Sequence, residues 1–400
     1  VNFETLDLDD DTLTFWREAR AFFDEHVTPA VLEDERLHGG GFNEGLHLAM
    51  GARGWVATQW PTSEGGAGLD AVRARIVATE WARSGAPYIL ASTTLLPPIA
   101  IRMFGSPDIQ AEVLPRVADG TVRICLGYTE PDCGSDLAAV RTRAERDGDE
   151  WVINGQKMFT TGAQFSQYCF LLTRTDPSAP MHKGLTVFLL PLDTAGVEIR
   201  PIGTLGGERT NFVYLQDVRV NDRWRLGEVN AGWTVVAAPL SQEHGISADG
   251  SDPTIGGPYL AECEKLIAEF VRWAAMQPGP AGKSLLDDAA VAERVGEALV
   301  KVEMTRSASG PPARILSSDL LVQTASELID LIGPTALLAR GSRGSAGDGA
   351  FEAGFRFAPG TGIYGGSTDV ARNVIAERFL GLPRSTPRRN KNERNDSPVR

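Results

Sequence analysis

The apolar pattern of this chain changes period twice, and those two switches constrain its fold more than any single motif does. From about residue 11 to 122 apolar side chains recur at helical spacing. Leu13, Phe15, Trp16, Ala19, Phe22 and Phe23 form one face behind an Asp-rich start that suits a helix N-terminus. Gly39-Gly-Gly41 interrupts the pattern, and further helices are expected over 43–51, 70–84, 90–104 and 109–118. After residue 122 the period becomes two. Trp151-Val-Ile153 and Gln156-Lys-Met-Phe159 flank Asn154-Gly155, a pair that favours a two-residue hairpin turn. More strands are expected over 168–174, 184–191, 197–201 and 211–220. Helical spacing returns after residue 232: Val291, Val295, Leu299 and Val302 stripe one helix, and Gly333-Pro334 stops another that begins near Leu320. The expectation is an α+β fold with an N-terminal all-α domain (1–122), a middle β domain (123–232) that is a small β-sandwich or barrel, and a C-terminal helical bundle (233–383). Residues 384–400 are polar and basic without period and read as a disordered tail.

Composition removes several function classes. A net charge of −13 with no long basic stripe argues against a nucleic-acid surface. Cys125, Cys133, Cys169 and Cys263 have no CxxC spacing and no neighbouring His, so they read as reduced thiols of a cytoplasmic protein. The acidic stretch from Glu4 to Asp11 lacks the basic-then-apolar order of a secretory leader, and no apolar run approaches the roughly 20 residues of a membrane span. No HExxH occurs and the five histidines are scattered, so no metal site is expected. Gly279-Pro-Ala-Gly282-Lys283-Ser284 ends like a phosphate-binding loop, but Gln277 stands where that motif needs Gly, and the stretch reads as an interhelical turn. No GxGxxG joins a strand to a helix, which leaves a nicotinamide dinucleotide fold without support.

Chemistry concentrates at the first switch of period. Leu126-Gly-Tyr-Thr-Glu-Pro-Asp-Cys-Gly-Ser-Asp136 crowds hydroxyls with two glycines and a proline behind an apolar stretch. That is the composition of a strand ending in a loop whose backbone approaches a ligand, although the same residues also suit a surface turn. The partner stretch Asn154-Gly-Gln-Lys-Met-Phe-Thr-Thr-Gly162 decides between the two. Together they resemble the acyl-CoA dehydrogenase family, which carries a Thr-Glu-Pro…Gly-Ser-Asp loop followed by an Asn-Gly-x-Lys segment ending in an aromatic and a Thr. Trp55 to Gly68 and Ile363-Tyr-Gly-Gly-Ser-Thr-Asp369 with its following helix resemble further family segments, so the likeness runs from about residue 11 to 383. It implies FAD as cofactor and α,β-dehydrogenation of an acyl-CoA thioester, with electrons passed to an electron-transferring flavoprotein. It places Tyr128, Thr129, Gly134, Ser135, Phe159, Thr161, Ser367 and Asp369 at the cofactor, with Phe159 near the flavin ring. Ser135 would also face the acyl-CoA, as would His244.

The reaction needs a carboxylate base to remove a Cα proton. Many members of the family place it before the Gly of a C-terminal Tyr-Glu-Gly motif, where this chain has Gly365. A second branch places it on the first long helix after the β domain, and Glu243 in Leu240-Ser-Gln-Glu-His244 is the expected base. His244 stands where an Arg is usual. Two segments that reach a neighbouring subunit's FAD in homotetrameric members are replaced here by Ala274-Ala-Met-Gln-Pro-Gly-Pro280 and Glu327-Leu-Ile-Asp-Leu-Ile-Gly-Pro334, which offer neither the cation nor the paired glycines for a diphosphate. The resemblance is therefore to the heteromeric α2β2 branch, in which a paralogous partner shares each FAD and the substrate is a steroid side chain or another bulky acyl-CoA; a homo-oligomer is the alternative assembly. The Gly-, Pro- and Ser-rich insertion over 247–258 is expected to widen the acyl pocket. Two other readings stay open: a non-catalytic partner subunit, and a flavin oxidase or monooxygenase on the same fold.

Overall fold

The computed structural model describes residues 7–243 and 256–383, without the side chains of 91–92 and 241–243. The described residues fall into two compact units, one comprising 7–243 and the other 256–383.

The first unit opens with the helix Asp10–His26. Asp9 caps it, accepting the Thr12 amide at 2.7 Å. Its buried face of Trp16, Ala19, Phe22 and Phe23 shares a core with Leu46, Met50, Trp55, Ile76 and Val77. The buried Glu80 carboxylate joins this helix to Ala71–Ser84 by accepting Trp16 Nε1–H at 2.7 Å and pairing with Arg20 and Arg83. A helix that the glycine run obscured in sequence, Pro29–His38, ends at Gly39 in left-handed backbone. The single helix expected over 90–104 is two, Ile89–Thr94 and Pro97–Phe104, because Pro97-Pro98 removes the amides that would continue the first.

Eight strands follow: β1 (Ile124–Gly127), β2 (Arg143–Asp147), β3 (Glu150–Lys157), β4 (Tyr168–Arg174), β5 (Leu185–Pro191), β6 (Val197–Gly203), β7 (Arg209–Asn221) and β8 (Arg225–Leu226). They form one sheet in the order β6-β7-β3-β2-β4-β5-β8, with β1 parallel to β4. β4 and β5 are nearly continuous apolar runs because both of their faces are covered. Their core includes Ile101, Ile109, Val113 and Val117 from the helices Pro97–Phe104 and Pro107–Ala118, and Val235 and Val236 from Gly232–Glu243. These three helices and the sheet therefore share one interior.

Asn154-Gly155 does not make the expected hairpin turn. β3 runs through it, and the hairpin closes instead at Gly148, between β2 and β3. The pair faces an irregularity in β7, where Gln216 and Asp217 together oppose Asn154. The Asn154 side chain accepts the Asp217 amide at 2.8 Å and donates to its carboxylate at 3.0 Å, holding Asp217 at a φ of 49°. Gly155 lies so close to Thr142 that a Cβ would sit 2.6 Å from its hydroxyl. The two residues serve a bulge and a close approach, requirements that local turn preference does not distinguish from a hairpin.

The second unit packs the helices Leu260–Ala275, Ala289–Arg306, Gly310–Ile332 and Ala350–Phe357 around Cys263, Ile267, Phe270, Val302, Leu321, Leu328 and Phe351. The 279–284 stretch is a turn between two of these helices, closed by a bridge from Pro278 to Ser284. Thr368–Val374 continues into a π-helical turn, Ile375–Phe379. Among the described residues no helix is long and apolar enough to cross a membrane. The tail over 384–400 and most of the 247–258 insertion lie outside the described residues.

Candidate functional site

β1 delivers the chain to the loop that follows it. Gly127 is required there, since a Cβ would come within 2.5 Å of Cys169 Sγ on β4. Tyr128 is buried with its ring edge-on to Phe170, at 5.9 Å between centroids. The loop then folds back on itself: Glu130 and Cys133 exchange backbone hydrogen bonds of 2.9 and 3.1 Å, leaving Gly134, Ser135 and Asp136 exposed beyond them.

A buried ion pair fixes this loop to β3. Lys157, fully buried, donates to Glu130 Oε1 at 2.7 Å and to the Tyr128 carbonyl at 3.2 Å. Glu130 also accepts the amides of Arg141 at 2.7 Å and Thr142 at 2.9 Å. Burial alone would push the Glu130 carboxyl up; the Lys157 charge and these hydrogen bonds outweigh it and hold the group below the ordinary carboxylate range. One residue on, the Met158 amide donates to the Thr129 carbonyl at 2.8 Å. The structure thus brings Thr129 beside the Phe159–Thr161 turn.

Phe159 is the bulky non-glycine residue here in left-handed backbone, with φ of 57°, a conformation that costs about 1–2 kcal/mol. The residue is 52% exposed, so burial does not offset that cost. Thr161 is half-buried and its hydroxyl meets that of Thr210 at 3.2 Å. Gly162 follows at φ +74°, where a Cβ would strike Leu90 at 2.4 Å. Behind the turn, Thr160 Oγ1, Gln164 Nε2 and Asn211 Oδ1 are buried without a partner among the described residues. An exposed aromatic face held in strained backbone, next to hydroxyls and unused polar capacity, fits a planar aromatic group with a polar edge.

The remaining candidate residues fall elsewhere. Ser367 caps Thr368–Val374, accepting the Val370 amide at 3.3 Å, and lines a cleft of the second unit with Pro311, Arg314, Gly366 and Val370. Asp369 is exposed and pairs with Arg372 at 3.3 Å. Glu243 closes the helix Gly232–Glu243; its side chain, and His244 entirely, lie outside the described residues.

Sequence reasoning passed over four supporting residues. Lys157 and Glu130 were visible only as motif letters, although a Lys at the end of an otherwise half-buried strand is itself a signal of a buried partner. Asn211 occupies an inward position beside Val213 and Leu215 on β7. Arg314, 8% exposed, donates through Nη2 to the carbonyls of Thr361 at 2.6 Å, Tyr364 at 2.7 Å and Gly366 at 3.1 Å, and so holds the loop that carries Gly365.

Comparison with known proteins matches residues 9–121 to the acyl-CoA dehydrogenase N-terminal domain, 125–218 to the middle domain and 249–380 to the C-terminal domain. The chain is 37% identical over 346 residues to the acyl-CoA dehydrogenase IpdE1 of Mycobacterium tuberculosis, covering 84% of this chain and 86% of that protein. It is 31% identical over 397 residues to the acyl-CoA dehydrogenase FadE26 of the same organism, covering 92% and 96%. Among solved structures, the ChsE4-ChsE5 complex from Mycobacterium tuberculosis superposes with a TM-score of 0.81 at 29% identity, over 95% of this chain and 100% of the other. The Tcur3481-Tcur3483 steroid ACAD gives 0.80 at 28%, over 94% and 99%.

Proposed function

We propose that this chain, which belongs to the acyl-CoA dehydrogenase family, is the base-bearing subunit of a heteromeric, FAD-dependent enzyme acting on a bulky, steroid-type acyl-CoA. The chain is an acyl-CoA dehydrogenase, an oxidoreductase of CH–CH bonds. The observation that carries the finer reading is the joining of the 128–136 loop to the Phe159–Thr161 turn by the Lys157–Glu130 pair and the Met158–Thr129 hydrogen bond.

In this reading Tyr128, Thr129, Gly134, Ser135, Phe159 and Thr161 would hold the FAD, and Ser367 and Asp369 are the further positions that the resemblance assigns to the cofactor. Bound there, FAD would supply the two-electron acceptor for the hydride lost from Cβ of the thioester. The Glu243 carboxylate takes the Cα proton, and closing the site against water raises its basicity toward the working pH. Ser135 and His244 adjoin the acyl-CoA. Electrons then leave to an electron-transferring flavoprotein. A paralogous partner would supply the diphosphate contacts that 274–280 and 327–334 lack, and similarity to chains solved as the ChsE4-ChsE5 complex and as a steroid ACAD supports both partner and substrate class.

The test is to purify the chain alone and together with a genetically adjacent paralogue, and to measure bound flavin and turnover of a steroid-side-chain CoA thioester. Flavin is expected only in the complex, and stoichiometric FAD on the chain alone refutes the shared site. Glu243→Gln in the complex is expected to lower kcat roughly 10²–10⁴-fold at unchanged flavin content. Full activity of that variant removes Glu243 as the base.

A further inference from the structure

Phe159 poses a physical question that the family assignment does not answer: what keeps a half-exposed aromatic residue in left-handed backbone. Asn and Asp tolerate that region through local side-chain hydrogen bonds, whereas Phe has none to offer. The restraint must come from its neighbours. On the N-terminal side it is the Met158 amide bound to the Thr129 carbonyl at 2.8 Å. On the C-terminal side it is Asn211, which grips Thr160 at both of its backbone groups. The Asn211 carbonyl accepts the Thr160 amide at 2.9 Å, and Asn211 Nδ2 donates to the Thr160 carbonyl at 2.9 Å. The second Nδ2 hydrogen goes to Gln164 Oε1 at 2.6 Å, in the turn Ala163–Phe165.

Asn211 is fully buried in β7, and Val213 and Leu215 on the same face show what packing alone would place there. A buried amide whose Oδ1 has no partner among the described residues is a poor choice for stability. Its return is geometric, because an apolar side chain could not fasten the Thr160 carbonyl. The next residue toward the N-terminus, Thr210, meets the Thr161 hydroxyl, so two consecutive residues of β7 receive the turn.

We propose that Asn211 is a positioning residue which, through Thr160, holds Phe159 with its ring presented to the flavin; the proposal rests on the flavin reading above. It acts on the ring through the backbone and touches neither substrate nor reacting atoms.

The experiment uses the assembled complex, stripped of flavin and titrated with FAD, reading flavin fluorescence, the visible absorption bands and their circular dichroism. Asn211→Leu is expected to bind FAD about tenfold more weakly, the factor expected when the binding-competent conformer becomes a tenth as populated. It should also alter the visible circular dichroism. Asn211→Asp, which keeps the shape but lacks the donor to Thr160, should behave the same way. In a Phe159→Gly background the ring to be positioned is gone, and Asn211→Leu should have no further effect on the flavin spectrum. Unchanged affinity and spectrum in Asn211→Leu, beside altered ones in Phe159→Gly, overturns the proposal. So do full additive effects in the double variant. If Asn211→Leu does not fold, Gln164→Leu takes its place: an altered flavin spectrum upholds the proposal and an unchanged one overturns it. If the unaltered complex takes no FAD, the flavin reading fails instead. The clamp is then read by hydrogen exchange at the Thr160 amide, where protection lost in Asn211→Leu upholds it and protection retained overturns it.

Discussion

Removing Lys157 tests the pin beneath the candidate site. Lys157 is fully exclusive of solvent and Glu130 is 6% exposed, so neither charge has water as a substitute partner. In Lys157→Met the carboxylate keeps the amides of Arg141 and Thr142 but loses its counter-charge. Breaking a buried pair in this way costs about 3–5 kcal/mol. Glu130→Leu is expected to cost more. It leaves the ammonium with one carbonyl, that of Tyr128, and strands two backbone donors at about 1–3 kcal/mol each. Urea unfolding followed by tryptophan fluorescence reads this unit, since every tryptophan except Trp273 lies in it. The pH sign is definite. Glu130 is held below its ordinary 4.5, so the pair's contribution is complete above that pH and is lost as pH falls below it. Lys157→Met should lose that part of the acid dependence. A cost of under about 1 kcal/mol for Lys157→Met, or Glu130→Leu proving the milder change, refutes the reasoning that the loop is pinned by a desolvated pair.

Other perturbations probe other parts of the chain. His47 is 3% exposed with Nε2 unpaired among the described residues, and burial, with Arg123 nearby, lowers it from 6.5 to about 4. Its neutral form is thus favoured on folding, and about 3 kcal/mol of stability present above pH 6.5 should be lost as pH falls toward 4; melts of a His47→Leu variant across that range should lack the loss. Arg314→Met should destabilise the second unit by about 3 kcal/mol, and hydrogen exchange should localise the loosening to 361–366, whose carbonyls lose their donor. Gly155→Val should cost more than about 2 kcal/mol by thermal melt, because its φ of 151° disfavours a side chain and the new Cβ would sit 2.6 Å from the Thr142 hydroxyl.

The two switches of hydrophobic period were legible because they depend on one face of each element being buried, a local property of consecutive residues. β4, the Ala71–Ser84 helix and the stop at Gly333 all appear close to where alternation, capping and glycine placed them. The loop at 128–136 and the turn at 159–161 could be named as partners because their residue types carry a family likeness. What joins them could not. Lys157 reaches Glu130 across 27 residues, Asn211 reaches Thr160 across 51, and Arg314 reaches Thr361 across 47. Each is a polar side chain whose meaning depends on which distant backbone lies within about 3 Å of it, and that is decided only when strands and helices pack. Asn154-Gly155 shows the same limit from the other side. Its local preference pointed to a hairpin, and the pairing of β3 with β7 turned the same two residues into a bulge contact. The sequence by itself determined which elements form and what chemistry they carry; tertiary structure decided which polar groups leave water together, because desolvation is a property of the packed chain and not of any segment of it.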